Sequence, residues 1–110
     1  MVTSVWKVIF MPKYLIEGSY TAEGVKGLQS DKASGRRAAV TRAVEALGGK
    51  LECIYFMFGD ADVMVIVDMP DNAAASSLCL SLGGTGRVRT KTTTLLTVEE
   101  VDKALAQANA

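Results

Sequence analysis

The stretch Leu51–Asp68, LECIYFMFGDADVMVIVD, decides the fold of this 110-residue chain. Two runs of strand-forming residues flank a short acidic turn, Gly59-Asp60-Ala61-Asp62. By simple alternation, Leu51, Cys53, Tyr55 and Met57 share one side of the first run, and Ile54, Phe56 and Phe58 the other. In the second run Val63, Val65 and Val67 oppose Met64 and Ile66. Neither run alternates apolar with polar, which is the pattern of strands covered on both faces.

Working outward, Tyr14–Tyr20 (YLIEGSY) reads as a strand with Tyr14, Ile16, Gly18 and Tyr20 on one side. Gly24 and Gly27 are costly inside a helix, so Thr21–Ala33 reads as a structured loop or a short helical turn. Ser34 is then the expected N-cap of a helix over GRRAAVTRAVEALGG. That helix carries Val40, Val44 and Leu47 on its apolar face, with Arg36, Thr41, Arg42 and Glu45 around the rest of its circumference, and stops at Gly48–Gly49. Downstream, Pro70 and Asp71 open a second helix that runs to Gly83–Gly84. RVRTKTTTLL, from Arg87 to Leu96, is a fourth strand. Thr97 and Glu100 form a capping box for a last helix with an apolar stripe of Val101, Ala104, Leu105 and Ala108.

The order β-α-β-β-α-β-α predicts an α+β protein, a ferredoxin-like βαββαβ unit with an extra C-terminal helix. Helices cover only one sheet face in that unit, yet the other face is apolar here as well. The expected cover is a second copy of the chain, so the partner predicted is the protein itself, a homodimer through the helix-free sheet face. Residues 11–110 are expected to form a single domain. The leading MVTSVWKVIF, residues 1–10, is too short to span a bilayer and is expected to be an N-terminal extension, since the regular pattern begins at Met11.

Twelve Lys and Arg balance twelve Asp and Glu, so no net field draws nucleic acid or an anionic membrane, and neither is expected as a partner. The chain has no histidine, which removes the commonest metal ligand, the commonest base and any Ser–His–Asp or Cys–His centre. Cys53 and Cys79 lack zinc-type spacing. No transition metal, haem or other cofactor is therefore expected; only a Mg²⁺ on Asp60 and Asp62 would find oxygen ligands. Without a recognisable targeting signal, a cytoplasmic location is the expectation.

Three segments, MPKYLIEGSYTAEGVKGL, GRRAAVTRAVEALGGKLECIYFMFGDADVMVIVDMPDN and RTKTTTLLTVEEVDKA, agree in order and spacing with the GYD-domain family, which the chain resembles from Met11 to about Ala104. The resemblance implies a ferredoxin-like fold of the dimeric α/β barrel type. Of the signature at the hairpin turn, Gly59 and Asp62 match, while Ala61 stands where the family usually has Tyr. The resemblance brings no general activity with it.

Arg36 and Arg37 are the most unusual feature. They fall in the first turn of the expected helix, where the macrodipole disfavours a cation by about 0.3–1 kcal/mol. A bound anion or a salt bridge to Asp31 or Glu23 would compensate them. Arg87, Arg89 and Lys91 alternate along the fourth strand, either as a basic wall of a pocket between sheets or as the charged guard of an edge strand. Tyr20 and Tyr55 are candidates to orient a ligand or donate a proton. Arg36, Arg37, Tyr20, Tyr55, Arg89 and Lys91 are thus the candidate ligand residues, for a small organic anion beside the sheet. The competing readings are a cofactor-free oxygenase or isomerase of the dimeric barrel type, and an interaction module with no ligand site.

Overall fold

The computed structural model describes residues 11–109, so the expected extension, residues 1–10, lies outside the described residues. Four strands form one antiparallel sheet: β1 (Lys13–Tyr20), β2 (Lys50–Phe56), β3 (Val63–Asp68) and β4 (Val88–Leu95), in spatial order β2-β3-β1-β4. Helices α1 (Ala22–Ala46) and α2 (Asn72–Gly84) connect them, and α3 (Val98–Ala108) follows β4. This is the ferredoxin-like α+β arrangement that the order of elements predicts.

Alternation along the two central strands separates a core face from an open face. Tyr14, Ile16, Val65 and Val67 are buried with Val44 of α1 and Ala75 and Leu78 of α2. Leu15, Glu17, Met64 and Ile66 point to the other side and are only half-buried. No described helix makes an extensive contact over them.

Strand β2 departs from simple alternation. Leu51 pairs with Val67 and Cys53 with Ile66, so Glu52 and Cys53 together oppose one residue of β3. This β-bulge shifts the side-chain phase by one. Leu51 therefore joins Ile54 and Phe56 on the helix side, not Cys53 and Tyr55 as alternation predicts. Glu52 is turned to the open side, where Lys13 bonds both Glu52 (2.7 Å) and Asp68 (2.8 Å). β2 also ends at Phe56, short of Phe58, which is fully exposed. Gly59 turns the chain at φ 141°, a conformation open to glycine.

The segment Thr21–Ala33, expected as a loop or a short turn, is helical from Ala22. Thr21 caps it, with its hydroxyl accepting from the Gly24 N–H at 3.3 Å. Gly24 is present for close approach: a Cβ there would lie 2.0 Å from the Arg87 carbonyl oxygen. That carbonyl accepts the Thr21 N–H at 2.9 Å, so the start of α1 is tied to the entry of β4. Ser34 is not the cap of the second half. The helix breaks at Lys32 (φ 65°, ψ 167°) and resumes with Ser34 already inside it.

The remaining helix signals act as the sequence predicts. Asp71 caps α2 by accepting from the Ala74 N–H at 2.8 Å. Thr97 and Glu100 form the reciprocal capping box of α3, each bond 3.0 Å. Among the described residues, no helix is long and apolar enough to cross a membrane.

Candidate functional site

The break at Lys32 sets the phase of the second half of α1. From there Arg36, Val40, Val44 and Leu47 recur at helical spacing on the side that meets the sheet. Val44 is fully buried, and Val40 and Leu47 pack against the core. Arg36 thus continues an apolar stripe. Its side chain lines a cavity of about 60 Å³ between α1, α2 and the core face of the sheet. The walls are Ile16, Val40, Ile54, Val65, Leu78 and Leu82, and the polar groups are Arg36, Tyr20 and Thr90.

Arg36 is held on one side only. Its Nη2 donates to the Asp31 carboxylate at 3.0 Å, and about a quarter of its side chain remains exposed (27%). Its Nε is buried and has no hydrogen-bond partner. Such an orphan donor costs about 1–3 kcal/mol, and more when the group is charged. Tyr20 enters the same cavity from the end of β1. Burial pushes its hydroxyl above the ordinary 10.0; the Arg36 guanidinium opposes that rise and the Asp62 carboxylate adds to it. At neutral pH Tyr20 is therefore a protonated donor.

Asp62 positions this tyrosine through the backbone. Its carboxylate accepts the Tyr20 N–H at 2.8 Å, and its own N–H donates to the Gly18 carbonyl at 2.8 Å. The signature aspartate thus clamps the hairpin to the end of β1. Ala61 beside it is buried.

The other candidates lie elsewhere. Arg37 is exposed and faces Thr41, Glu45 and Lys50 on the outer side of α1. Tyr55 is 65% exposed on the open sheet face. Arg89 and Lys91 are on that face too, next to Glu17, Ser19 and Asp60, and neither forms an ion pair among the described residues. A single pocket holding Tyr20, Tyr55 and Lys91 is excluded by the sheet itself, because Tyr20 is on one face and the other two are on the opposite one. Among the described residues, no group of three or more His, Cys, Asp or Glu is arranged to hold a metal ion.

A wider groove of about 570 Å³ runs beside α2, lined by Tyr14, Asn72, Ser76, Cys79, Thr92 and Thr94. Its polar groups are largely paired with one another: the Tyr14 hydroxyl with Asn72, and Cys79 Sγ with Thr92 Oγ1 at 3.0 Å. Among the described residues, the Tyr20–Arg36 cavity alone sets an apolar wall beside a cation that carries a buried, unpartnered donor. Sequence reasoning named Tyr20 and Arg36, which the fold brings to one cavity, and named neither Thr90 nor the backbone role of Asp62. The expectation that Arg36 lies off the apolar face with Thr41, Arg42 and Glu45 is corrected by the structure: its spacing of four to Val40 and eight to Val44 puts it on the buried stripe, and Arg37 off it.

The family model of the GYD domain matches residues 14–105. No curated protein matches the chain significantly. Among solved structures, the fold is similar to that of MtbAldR, with a TM-score of 0.58 and 17% identity over 79% of this chain and 54% of that one. It is also similar to the leucine response regulatory protein LrpA of Mycobacterium tuberculosis, with a TM-score of 0.55 and 15% identity over 86% of this chain and 55% of that one. The chain spans little more than half the length of either.

Proposed function

The chain belongs to the GYD-domain family, and from that premise we propose that it works as a homodimer that binds a small organic anion beside the sheet. The observation that carries this reading is Arg36, a cation that lines an apolar cavity together with Tyr20 and Thr90. A bound carboxylate would pair with its guanidinium and offset the cost of desolvating the cation. Pairing of two copies through the open face would cover Leu15, Met64 and Ile66. The exposed Leu96, Val98, Val101 and Leu105 of the C-terminal segment add to the apolar surface that association would remove from water.

Two measurements test the two halves. Sedimentation velocity at micromolar concentration is expected to give a dimer, and a monomer overturns the pairing. For the anion, sodium acetate is expected to raise the melting temperature above chloride at matched ionic strength, by the mass-action increment of a native-state ligand. That increment should shrink in the Arg36→Gln, Arg37→Gln double variant. An increment unchanged by the double variant assigns the effect to general salt stabilisation and removes the anion site.

A further inference from the structure

Resting on the homodimer reading above, we propose that α3 is an exchanged arm, which docks on the second copy with Glu99 and Asp102 against Arg89 and Lys91 of the partner subunit. Three features of the chain lead there: an uncovered helix, two complementary sets of free charges, and the distance between those sets.

The helix is well begun and left bare. Its N-terminus has the full capping box of Thr97 and Glu100, yet none of its eleven residues is buried. Val98, Val101 and Leu105 recur on one side and are 75%, 42% and 56% exposed; Leu96, just before them, is 62% exposed. No other described element packs extensively on α3. An isolated helix shorter than about 12–15 residues is marginal in water, so this one needs a surface to cover its stripe.

Charge indicates which surface. Asp102 borders the apolar stripe, and Glu99, three residues before it, shares that side. Neither carboxylate is in an ion pair among the described residues, and Lys103, four residues after Glu99, does not pair with it. The segment from Arg87 to Thr97 contains no acidic residue. On its open side β4 carries Arg89 and Lys91, also without an ion pair among the described residues. Glu17 stands opposite Lys91 in register and Asp60 lies beside it, but both belong to elements further into the sheet. The edge strand itself offers only cations, beside the half-buried Leu15 of the open face. An apolar stripe flanked by carboxylates fits an apolar face flanked by cations.

Distance indicates whose surface it is. Arg89 lies six residues before Leu95, about 20 Å along the strand, while Glu99 is in the first turn of a helix that starts beyond the far end of β4. Within one chain the two sets of charges are therefore held at opposite ends of β4. Two sheets packed face to face about a two-fold axis perpendicular to their strands run antiparallel. The C-terminal end of one β4 then lies over the N-terminal end of the other. That arrangement carries each α3 to the cations of the opposite copy, and symmetry makes the contact twice.

Charge reversal in the full chain tests the exchange. One variant carries Glu99→Lys and Asp102→Lys, the other Arg89→Glu and Lys91→Glu. Each alone brings like charges together at both contacts and should dimerise at least about tenfold more weakly than the wild type at low ionic strength. Mixed in equal amounts, the two should form a heterodimer about as tight as the wild-type dimer, because both contacts then join opposite charges. Sedimentation velocity reads the affinities and native mass spectrometry identifies the heterodimer. Leu105→Asp should weaken association as well and leave the circular dichroism of the monomer intact, since α3 buries no residue of its own.

If both reversed chains dimerise as tightly as the wild type, α3 is outside the interface and the exchange is overturned while the homodimer stands. If both lose the dimer and the mixture does not regain it, the charges do not meet across copies, and the exchange is overturned again. A wild-type chain that is monomeric at micromolar concentration overturns the homodimer reading and the exchange together.

Discussion

On one face of the sheet Tyr14, Ile16, Val65 and Val67 are sealed beneath two helices; on the other Leu15, Met64 and Ile66 lie half-exposed among charged residues. Both sets come from the same two strands, so composition does not separate them. Polar punctuation does. The open side carries Lys13, Glu17 and Asp68 in those strands and Arg89 and Lys91 in β4. Among the described residues, the covered side carries no ionised group from the central strands, and the cation at its cavity, Arg36, comes down from a helix. A face that folding must close admits only paired or satisfied polar groups. A face that is closed later, by association, can keep solvated charges until then. The unpartnered Nε of Arg36 stands out because it sits on the face where the first rule applies.

The strongest way to break this comparison is to place the same charge on adjacent residues of β3. Val65→Asp buries a carboxylate among Ile16, Val40 and Leu78 and should cost more than about 4 kcal/mol, enough to unfold a marginal domain. Ile66→Asp puts the carboxylate on the open face and should leave the monomer folded while abolishing association. Circular dichroism and sedimentation on the two variants check this. Equal loss of fold in both would mean that the open face is already needed for the monomer.

The next largest effect is expected at Gly24. Alanine there would bring a Cβ to 2.0 Å from the Arg87 carbonyl, a backbone atom that cannot yield without moving β4. The variant should lose about 3 kcal/mol by overpacking, despite the gain of about 1 kcal/mol in helix propensity. Chemical denaturation measures it. A stabilised Gly24→Ala would show that the contact between α1 and β4 is looser than described.

These positions also show what the sequence made legible. Apolar periodicity in Val63–Val67, the capping residues Asp71 and Thr97 and the Gly48–Gly49 stop gave the class and order of elements, because each signal is local. The bulge at Glu52–Cys53 was not legible, since nothing in LECIY distinguishes a slipped strand from a regular one; the partner strand decides it. Gly24 was misread for the same reason. Its helix penalty is intrinsic, while its purpose is a contact with a residue 63 positions away. Tyr20 and Arg36 could each be named from the sequence, but their meeting needs the fold. Tyr55 and Lys91 looked equivalent to Tyr20 until the face of each strand was known.

Lys32 offers a smaller effect of the opposite sign. Its φ of 65° with ψ of 167° is a conformation almost reserved for glycine, worth about 1–3 kcal/mol of strain in other residues. Lys32→Gly should relieve it and, after the entropy glycine loses on folding, stabilise the protein by about 1 kcal/mol. The neighbouring Ala33→Gly, in ordinary helix, should destabilise. Thermal melts of the pair test whether the break in α1 is intrinsic. If Lys32→Gly destabilises as Ala33→Gly does, the break at Lys32 is not a strained one.

The gentlest probe uses pH, and it separates the two faces by cause. Tyr14 and Tyr20, on the covered side, are both raised above the ordinary 10.0, chiefly by burial; Asp71 adds to the rise at Tyr14. Lys13, on the open side, is raised above 10.5 by its bonds to Asp68 and Glu52. In each case the folded state holds its proton more tightly than the unfolded chain. Stability from these groups is therefore complete below about pH 10 and is lost as pH rises through their folded values. The curve of stability against pH should be flat near neutrality and fall on the alkaline side. Salt then distinguishes the faces. At about 1 M salt the Debye length is near 3 Å, so the exposed Lys13 pairs are screened, whereas desolvation of the tyrosines is not. The alkaline fall should keep its tyrosine part in high salt, and Tyr14→Phe or Tyr20→Phe should reduce that part while Lys13→Met reduces only the salt-sensitive part. A fall that vanishes entirely in salt would assign the alkaline loss to ion pairs alone and would count against the buried setting of Tyr20 on which the carboxylate site depends.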